Sequence, residues 1–302
     1  QKYKVIWLVD DVNKAKKNNY HNVRYSKKSS KSFYPLTFYG LARAKFYIYD
    51  HCNVYSAFHL HKRKKQKIVN VWHGIPVKAL KWYGVPAKPL TLPESEINSI
   101  DILCSTSDLS SEWLYIAMGI PKDKIKIVGE SRLDYFFKDS SKIKDIIENT
   151  YHLYNYRLIV LWMPTYRKSN SKWLSQNYLN NETGLPMISS YNELKLFNDY
   201  LFKKNALLVL KVHHLQADLP IYKKKFSNIL ILTDENLQDI NIQLYQFIPF
   251  SDMLITDYSS VFIDYLVLNR PIIYTCDDYE DYKKTRPLIV ENFVDYLKGY
   301  HV

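Results

Sequence analysis

Short runs of apolar, largely β-branched residues return along this chain with helical patterns between them, and nothing else in it limits the fold so strongly. Lys4–Val9 (KVIWLV), Lys45–Tyr49, Ile68–Trp72, Asp101–Ser105 and Ile125–Gly129 read as strands in the first half. Leu158–Met163 (LIVLWM), Leu207–Val212, Ile229–Leu232, Met253–Thr256 and Pro271–Thr275 do so in the second. Short strands that are apolar throughout are buried on both faces, as in parallel sheets. Helices are predicted over Leu109–Met118, behind the capping pair Ser107-Asp108, over Tyr191–Lys203, with Leu194, Phe197 and Leu201 on one face, and over Ser260–Leu268. Alternating strands and helices specify an α/β fold with right-handed crossovers. At 302 residues the chain exceeds what one core usually holds, so two Rossmann-like domains in series are expected, 1–145 and 146–302. Their boundary falls in the polar segment Lys138–Tyr154, read as a helix leading into a fresh strand at Leu158. Asn13–Lys31 and Lys168–Thr183 are polar and read as loops.

Several function classes drop out. Only 7 glycines occur, with no GxGxxG and no GxxxxGK[ST], so a dehydrogenase or P-loop enzyme would lack its phosphate cradle. Cys52, Cys104 and Cys276 have no zinc-type spacing and sit in apolar runs, which reads as buried free thiols in a reducing compartment. No signal peptide and no apolar run of about 18 residues is found, so no span of a membrane is expected. The sequence begins at Gln1 rather than Met, which reads as a start inside a longer polypeptide. The net charge of +12 is either a solvated basic face or the mark of an anionic partner: nucleic acid, polymer or membrane surface.

Four strand ends carry residues suited to chemistry, and ligands of parallel α/β sheets bind outside such ends. Trp72-His73-Gly74 places an imidazole where it can act as a general base, beside a glycine that lets a substrate or backbone approach. A lone histidine is more often structural, and its position at a strand end is what raises its interest. In Met163-Pro164-Thr165-Tyr166-Arg167 the proline ends the strand, and Thr165 and Arg167 are suited to phosphate oxygens; a surface turn with a solvated arginine is the plain alternative. Lys211 and His213 share one face of their strand, an expensive arrangement unless an anion meets them. His213-His214 point apart and have no carboxylate nearby in sequence, which argues against a metal site. In Ile255-Thr256-Asp257-Tyr258-Ser259-Ser260 a strand gives way to a helix, where capping hydroxyls and unpaired N–H groups together can hold a phosphate.

In order along the chain stand Trp72-His73-Gly74-Ile75-Pro76-Val77-Lys78, Val128-Gly129-Glu130-Ser131-Arg132-Leu133-Asp134, Met163-Pro164-Thr165-Tyr166-Arg167, Lys211-Val212-His213 and Ile255-Thr256-Asp257-Tyr258-Ser259-Ser260. Together they resemble the CDP-glycerol:poly(glycerophosphate) glycerophosphotransferase family, the TagF/TagB type of teichoic-acid and capsule enzymes, from about Lys4 to Tyr282. The resemblance implies a GT-B-like fold, two Rossmann-like domains facing across a cleft, with the acceptor side at 1–145 and the CDP donor at 146–302. It implies transfer of glycerol phosphate or a related polyol phosphate from CDP-glycerol or CDP-ribitol to a hydroxyl of an anionic polymer or lipid-linked acceptor, with release of CMP. By motif match His73 is the base, His213 steadies the donor pyrophosphate, and Thr256, Asp257, Ser259 and Ser260 hold phosphates. Thr165, Arg167 and Lys211 add charge and hydrogen bonds, and Gly74, Lys78, Arg132 and Asp134 support. Two departures are local: His214 stands where the family has proline, and Ser131 replaces the proline of a GxPRxD pattern. No cofactor is called for, and a single divalent cation is compatible with these residues. The implied setting is cytoplasmic, peripheral to the inner face of an anionic membrane.

Three competing readings stand beside this one. A GT-B glycosyltransferase using a nucleotide sugar would share the fold, with Asp234-Glu235 or Asp277-Asp278 as its acidic ribose-binding pair. A nucleic-acid module would rest on the basic stretch His59–Lys67 (HLHKRKKQK), which reads better as a loop before a strand, so nucleic acid is not an expected partner. A catalytically dead binding domain conflicts with the intact set His73, His213, Ser259 and Ser260.

Overall fold

The computed structural model describes residues 3–9, 11–17, 19–25, 35–50, 62–78, 94–167, 181–213, 216–285, 288–290, 292–297 and 300–301. The chain divides into two compact units. One comprises Gln1–His73, Leu92–Cys104 and Asp123–Lys126; the other comprises Gly74–Thr91, Ser105–Lys122 and Ile127–Val302.

In the first unit, β1 (Trp7–Val9) and β2 (Val23–Tyr25) pair in parallel. A second sheet has the order β3 (Phe46–Tyr49), β4 (Lys67–Asn70), β5 (Ile102–Ser105), β6 (Ile125–Ile127), and β3, β4 and β5 run parallel. Burial alternates along β4, where Ile68 and Asn70 are buried. The Asp101 carboxylate stitches the start of β4, accepting from the Ile68 N–H at 2.8 Å and from Lys62 Nζ at 2.8 Å. The segment read as a polar loop, Asn13–Lys31, contains most of the helix Val12–Lys17 and all of β2. Both are only a turn or a few residues long, and tertiary pairing rather than an apolar pattern defines them.

The second unit holds a six-stranded sheet of β7 (Leu158–Met163), β8 (Ala206–Lys211), β9 (Ile229–Leu232), β10 (Met253–Thr256), β11 (Ile272–Tyr274) and β12 (Tyr300–His301). Its order is β12-β11-β10-β7-β8-β9, and every neighbouring pair is parallel. From β7 the chain builds outward through β8 to β9, then returns to the other side of β7 and builds outward again. The strand order therefore reverses between β7 and β10, the arrangement of a doubly wound sheet. All six residues of β8 are buried, as a central strand covered on both faces requires.

The helices predicted from sequence are found, two of them with side-chain caps. Asp108–Met118 starts at Ser107, whose hydroxyl accepts from the Ser110 N–H, and stops at Gly119 in the left-handed region (φ 68°). Tyr191–Lys203 opens with a capping box formed by Ser190 and Glu193. The helix after β10 is shorter than predicted: Val261–Tyr265 is α-helical, and Leu266–Leu268 tightens into a 3₁₀ turn that ends at Asn269 (φ 52°). The segment 168–180 of the second polar loop, residues 59–61 of the basic stretch, Cys52 and His214 lie outside the described residues. Cys104 and Cys276 are half-buried free thiols, and burial pushes Cys276 up to about 12. Among the described residues no helix is long and apolar enough to cross a membrane.

Candidate functional site

The carboxyl ends of β7 and β10 flank the point where strand order reverses, and the chain there is tied by a buried ionic network. Asp257, directly after β10, accepts from the Thr165 N–H at 2.9 and 3.0 Å and from the Thr165 hydroxyl at 3.1 Å. It also pairs with Arg167 Nη1. Arg167 turns its other edge to Asp278, with Nε and Nη2 each 2.9 Å from a carboxylate oxygen, and donates from Nη1 to the Thr165 carbonyl at 2.8 Å. The guanidinium also lies over the rings of Tyr258 and Tyr282, 5.6 Å from each centroid. Arg167 and Asp257 are both 0% exposed. Burial alone would lower the Arg167 pKa, but the charges of Asp257 and Asp278 hold it well above the usual value.

This network revises the expectation for four residues. Thr165, Arg167 and Asp257 are engaged with one another, and the Thr256 hydroxyl donates to the Met163 carbonyl at 2.8 Å across the β7–β10 ladder. They fasten the loops that follow β7 and β10, instead of presenting polar groups to a phosphate. Asp278, Tyr258 and Tyr282 belong to the same assembly. Sequence reasoning set Asp278 aside as half of an acidic pair, because its partner lies 111 residues away.

Toward the other edge of the sheet, Lys211 closes β8 and His213 follows it. Lys211, 8% exposed, pairs with Asp234 at 2.9 Å, while Asp234 itself is largely solvated. Two residues on, the half-buried His213 ring sits 4.7 Å from the ring of Tyr166. The strand ends thus bring together Tyr166 and His213, with Lys211 two residues before the histidine.

A second cluster forms behind the helix Val261–Tyr265. Ser260 occupies its N-cap without a side-chain capping bond, and the Ser259 hydroxyl lies 3.5 Å from the Val261 N–H. Arg132 reaches both oxygens of Asp264 at 3.2 Å and Glu130 at 3.0 Å, and its guanidinium lies over the Tyr245 ring at 5.2 Å. Burial would lower the Arg132 pKa, but Asp264 and its neighbours raise it, whereas burial raises Glu130 despite the arginine beside it. Glu130, Tyr245 and Asp264 carry no local signal of this pairing. Asp134, expected to support the site, is instead exposed in the 3₁₀ turn Ser131–Phe136 and faces Lys138 at 3.7 Å. Lys78 bridges to Leu288 in antiparallel fashion, which ties the segment after the Trp-His-Gly motif to the C-terminal region.

Gly74 touches this second cluster. Its φ is +137°, open to glycine but strained for any other residue, and an added Cβ would stand 3.2 Å from Ser260 Oγ and 3.4 Å from Arg132 Nη2. Gly74→Ala is expected to lower stability by about 1–3 kcal/mol and to displace Ser260. Chemical denaturation checks the first effect. A variant as stable as the parent would show that the glycine conformation is not required.

His73 belongs to the other unit, three residues beyond β4. Its ring lies tilted against Trp72 with centroids 4.1 Å apart, and Trp72 itself holds a left-handed backbone (φ 52°). His73 Nδ1 is 2.9 Å from the Asp50 carbonyl oxygen. A carbonyl only accepts, so Nδ1 carries a proton.

The family model for CDP-Glycerol:Poly(glycerophosphate) glycerophosphotransferase matches residues 1–300. A teichoic acid poly(glycerol phosphate) polymerase from Bacillus spizizenii is 29% identical over 295 residues, 93% of this chain and 67% of that protein. A teichoic acid poly(ribitol-phosphate) polymerase from the same organism is 24% identical over 245 residues, 78% of this chain and 36% of that protein. The chain therefore spans about a third of one curated relative and two thirds of the other. The solved structure of the wall teichoic acid polymerase TagF superposes with a TM-score of 0.67 at 22% identity, covering 99% of this chain and 69% of that one. At that identity the likeness establishes the fold, which is the α/β class with parallel sheets expected from the sequence.

Proposed function

The chain belongs to the CDP-glycerol:poly(glycerophosphate) glycerophosphotransferase family, and from that premise we propose that it moves glycerol phosphate, or a related polyol phosphate, from a CDP-activated donor to a hydroxyl of a cell-surface polymer. An acceptor hydroxyl attacks the β-phosphorus of the donor, the bond from that phosphorus to the bridging oxygen breaks, and CMP leaves. His73, through Nε2, takes the hydroxyl proton. The observation that carries the reading is the His213–Tyr166 pair at the carboxyl ends of the sheet, two residues beyond Lys211, where such folds bind ligands. In-line phosphoryl transfer needs positioning and neutralisation of the phosphoryl oxygens more than covalent help. Lys211, which shares its charge with the solvated Asp234, and His213 supply hydrogen-bond donors, and Ser259 and Ser260 supply hydroxyls at a helix start. The buried set Thr165, Arg167, Thr256 and Asp257 keeps these loops in place, and Gly74 leaves room for Ser260 beside it. The donor side is assigned to 146–302 and the acceptor side to 1–145.

The acceptor is read as an anionic polymer or its lipid-linked primer, of the teichoic-acid or capsule type, handled at the inner face of the membrane. The net charge of +12 supports a polyanionic acceptor and an anionic membrane surface. Exposed aromatic rings with cations over them, Tyr39 with Arg43 at 5.3 Å and Phe46 with Lys45 at 5.6 Å, suit the headgroup level of such a surface.

The test is a donor panel. With a polymer primer present, nucleotide release is measured for CDP-glycerol, CDP-ribitol and several nucleotide sugars. Turnover confined to one or both CDP-polyols is the expected outcome. Turnover of a nucleotide sugar alone would reassign the chain to the glycosyltransferases.

A further inference from the structure

β4 ends on Asn70, a polar side chain that is 0% exposed. Its Oδ1 accepts from the Trp72 N–H at 2.7 Å, a bond from side chain to the backbone two residues on. That bond closes over Trp72, whose left-handed backbone (φ 52°) is costly for a bulky side chain without such support. An extended Trp72 would carry His73 onward along the line of β4. With the turn in place, His73 Nδ1 comes within 2.9 Å of the Asp50 carbonyl oxygen. Asp50 directly follows β3, and the end of β3 is fixed in turn. The Tyr49 carbonyl accepts from the Val71 N–H at 2.9 Å, and the Tyr49 hydroxyl donates to the buried Glu96 at 3.3 Å. Burial, and the Glu96 charge after it, push the pKa of that hydroxyl up, so it stays a donor.

We propose that Asn70 is a positioning residue for the proton transfer: its side chain sets the Trp72 turn that brings His73 to the Asp50 carbonyl. This rests on the reading of His73 as the base and extends it to a residue away from the reacting atoms. The Asn70 side chain has no exposed surface, so it does not meet a substrate itself, and its effect passes through the backbone of Trp72. Burial alone would be served better here by an apolar residue, as at Ile68 on the same face of β4. Such a residue would leave Trp72 free to relax toward an extended backbone and would release His73 from its acceptor.

The test is a cycle of four proteins: the parent, Asn70→Ala, His73→Ala and the double variant. Folding is established by circular dichroism, and CMP release from a CDP-polyol is measured with a polymer primer present. Misplacing a catalytic group by about 1 Å costs on the order of a hundredfold in rate. Asn70→Ala is therefore expected to lower kcat by about ten- to a hundredfold and to leave the donor KM within about twofold. With His73→Ala already in place the same change is expected to have no further effect, because the group it positions is gone. Asn70→Asp keeps an oxygen at the same reach for the Trp72 N–H and is expected to restore most of the rate. Should Asn70→Ala not fold, Asn70→Ser, whose hydroxyl serves such a turn more weakly, replaces it in the cycle with a smaller loss of kcat. An unchanged kcat, an equal loss with and without His73, or a loss carried by KM would overturn the positioning role. Full activity of His73→Ala alone would instead overturn the base reading beneath it.

Discussion

Replacing His73 with alanine is expected to slow CMP release from a CDP-polyol by about 10²–10⁴-fold in a protein that remains folded, the usual share of a positioned general base. The histidine sits on an exposed loop rather than in a core, so its removal leaves no cavity to destabilise the unit. Its ring is oriented from two sides, by the Trp72 indole and by the Asp50 carbonyl that fixes the proton on Nδ1. A residue held in one tautomer on an exposed loop is equipped to accept a proton rather than to pack. His73→Gln keeps a donor for the Asp50 carbonyl but has no basic nitrogen, and it is expected to be as slow as the alanine variant. Single-turnover kinetics separate this from donor binding, which should change little. A loss of less than about fivefold in either variant would remove the base role.

Asp257→Ala is expected to be among the most destabilising single changes in the second unit, by about 3–5 kcal/mol. It strips half the counter-charge from a guanidinium with no access to water, and it leaves the Thr165 N–H and hydroxyl without their acceptor. Breaking a buried pair by deleting one partner costs far more than the intact pair contributes, because the remaining charge stays buried. Denaturant midpoints compared with those of Asp134→Ala provide the control. Asp134 is exposed, with Lys138 for company, and its loss should fall within about 0.5 kcal/mol. Similar midpoints for the two variants would mean that water or a rearranged Asp278 takes over the Arg167 charge.

All ten strands expected from sequence are found, and Leu158–Met163, Ile229–Leu232 and Met253–Thr256 match to the residue. Unbroken apolar runs bounded by polar residues leave little freedom at either end. The strands that escaped, Val23–Tyr25 and Tyr300–His301, are two or three residues long and lie in polar or mixed sequence. Only pairing with β1 and β11 defines them, and pairing is not written locally. The candidate site divides the same way. Strand-end position draws attention to Thr165, Arg167, Lys211, His213 and Asp257. It could not distinguish a side chain that faces a ligand from one that holds a loop. Thr256 bonds to Met163, 93 residues earlier, and Arg167 to Asp278, 111 residues later. Such choices depend on sheet order, and the order β10-β7 follows from the return of the chain past β7. The Arg132–Asp264 pair, 132 residues apart, was hidden for the same reason.

The most direct measurement of the central claim is the identity of the nucleotide released. A CDP-polyol labelled in the polyol carbon and in the β-phosphorus would be incubated with the protein and a polymer primer. Attack at the β-phosphorus requires CMP as the sole nucleotide product, with both labels entering the polymer in equal amounts. Release of CDP, with the carbon label alone entering the polymer, would mean attack at the polyol carbon and would contradict the account.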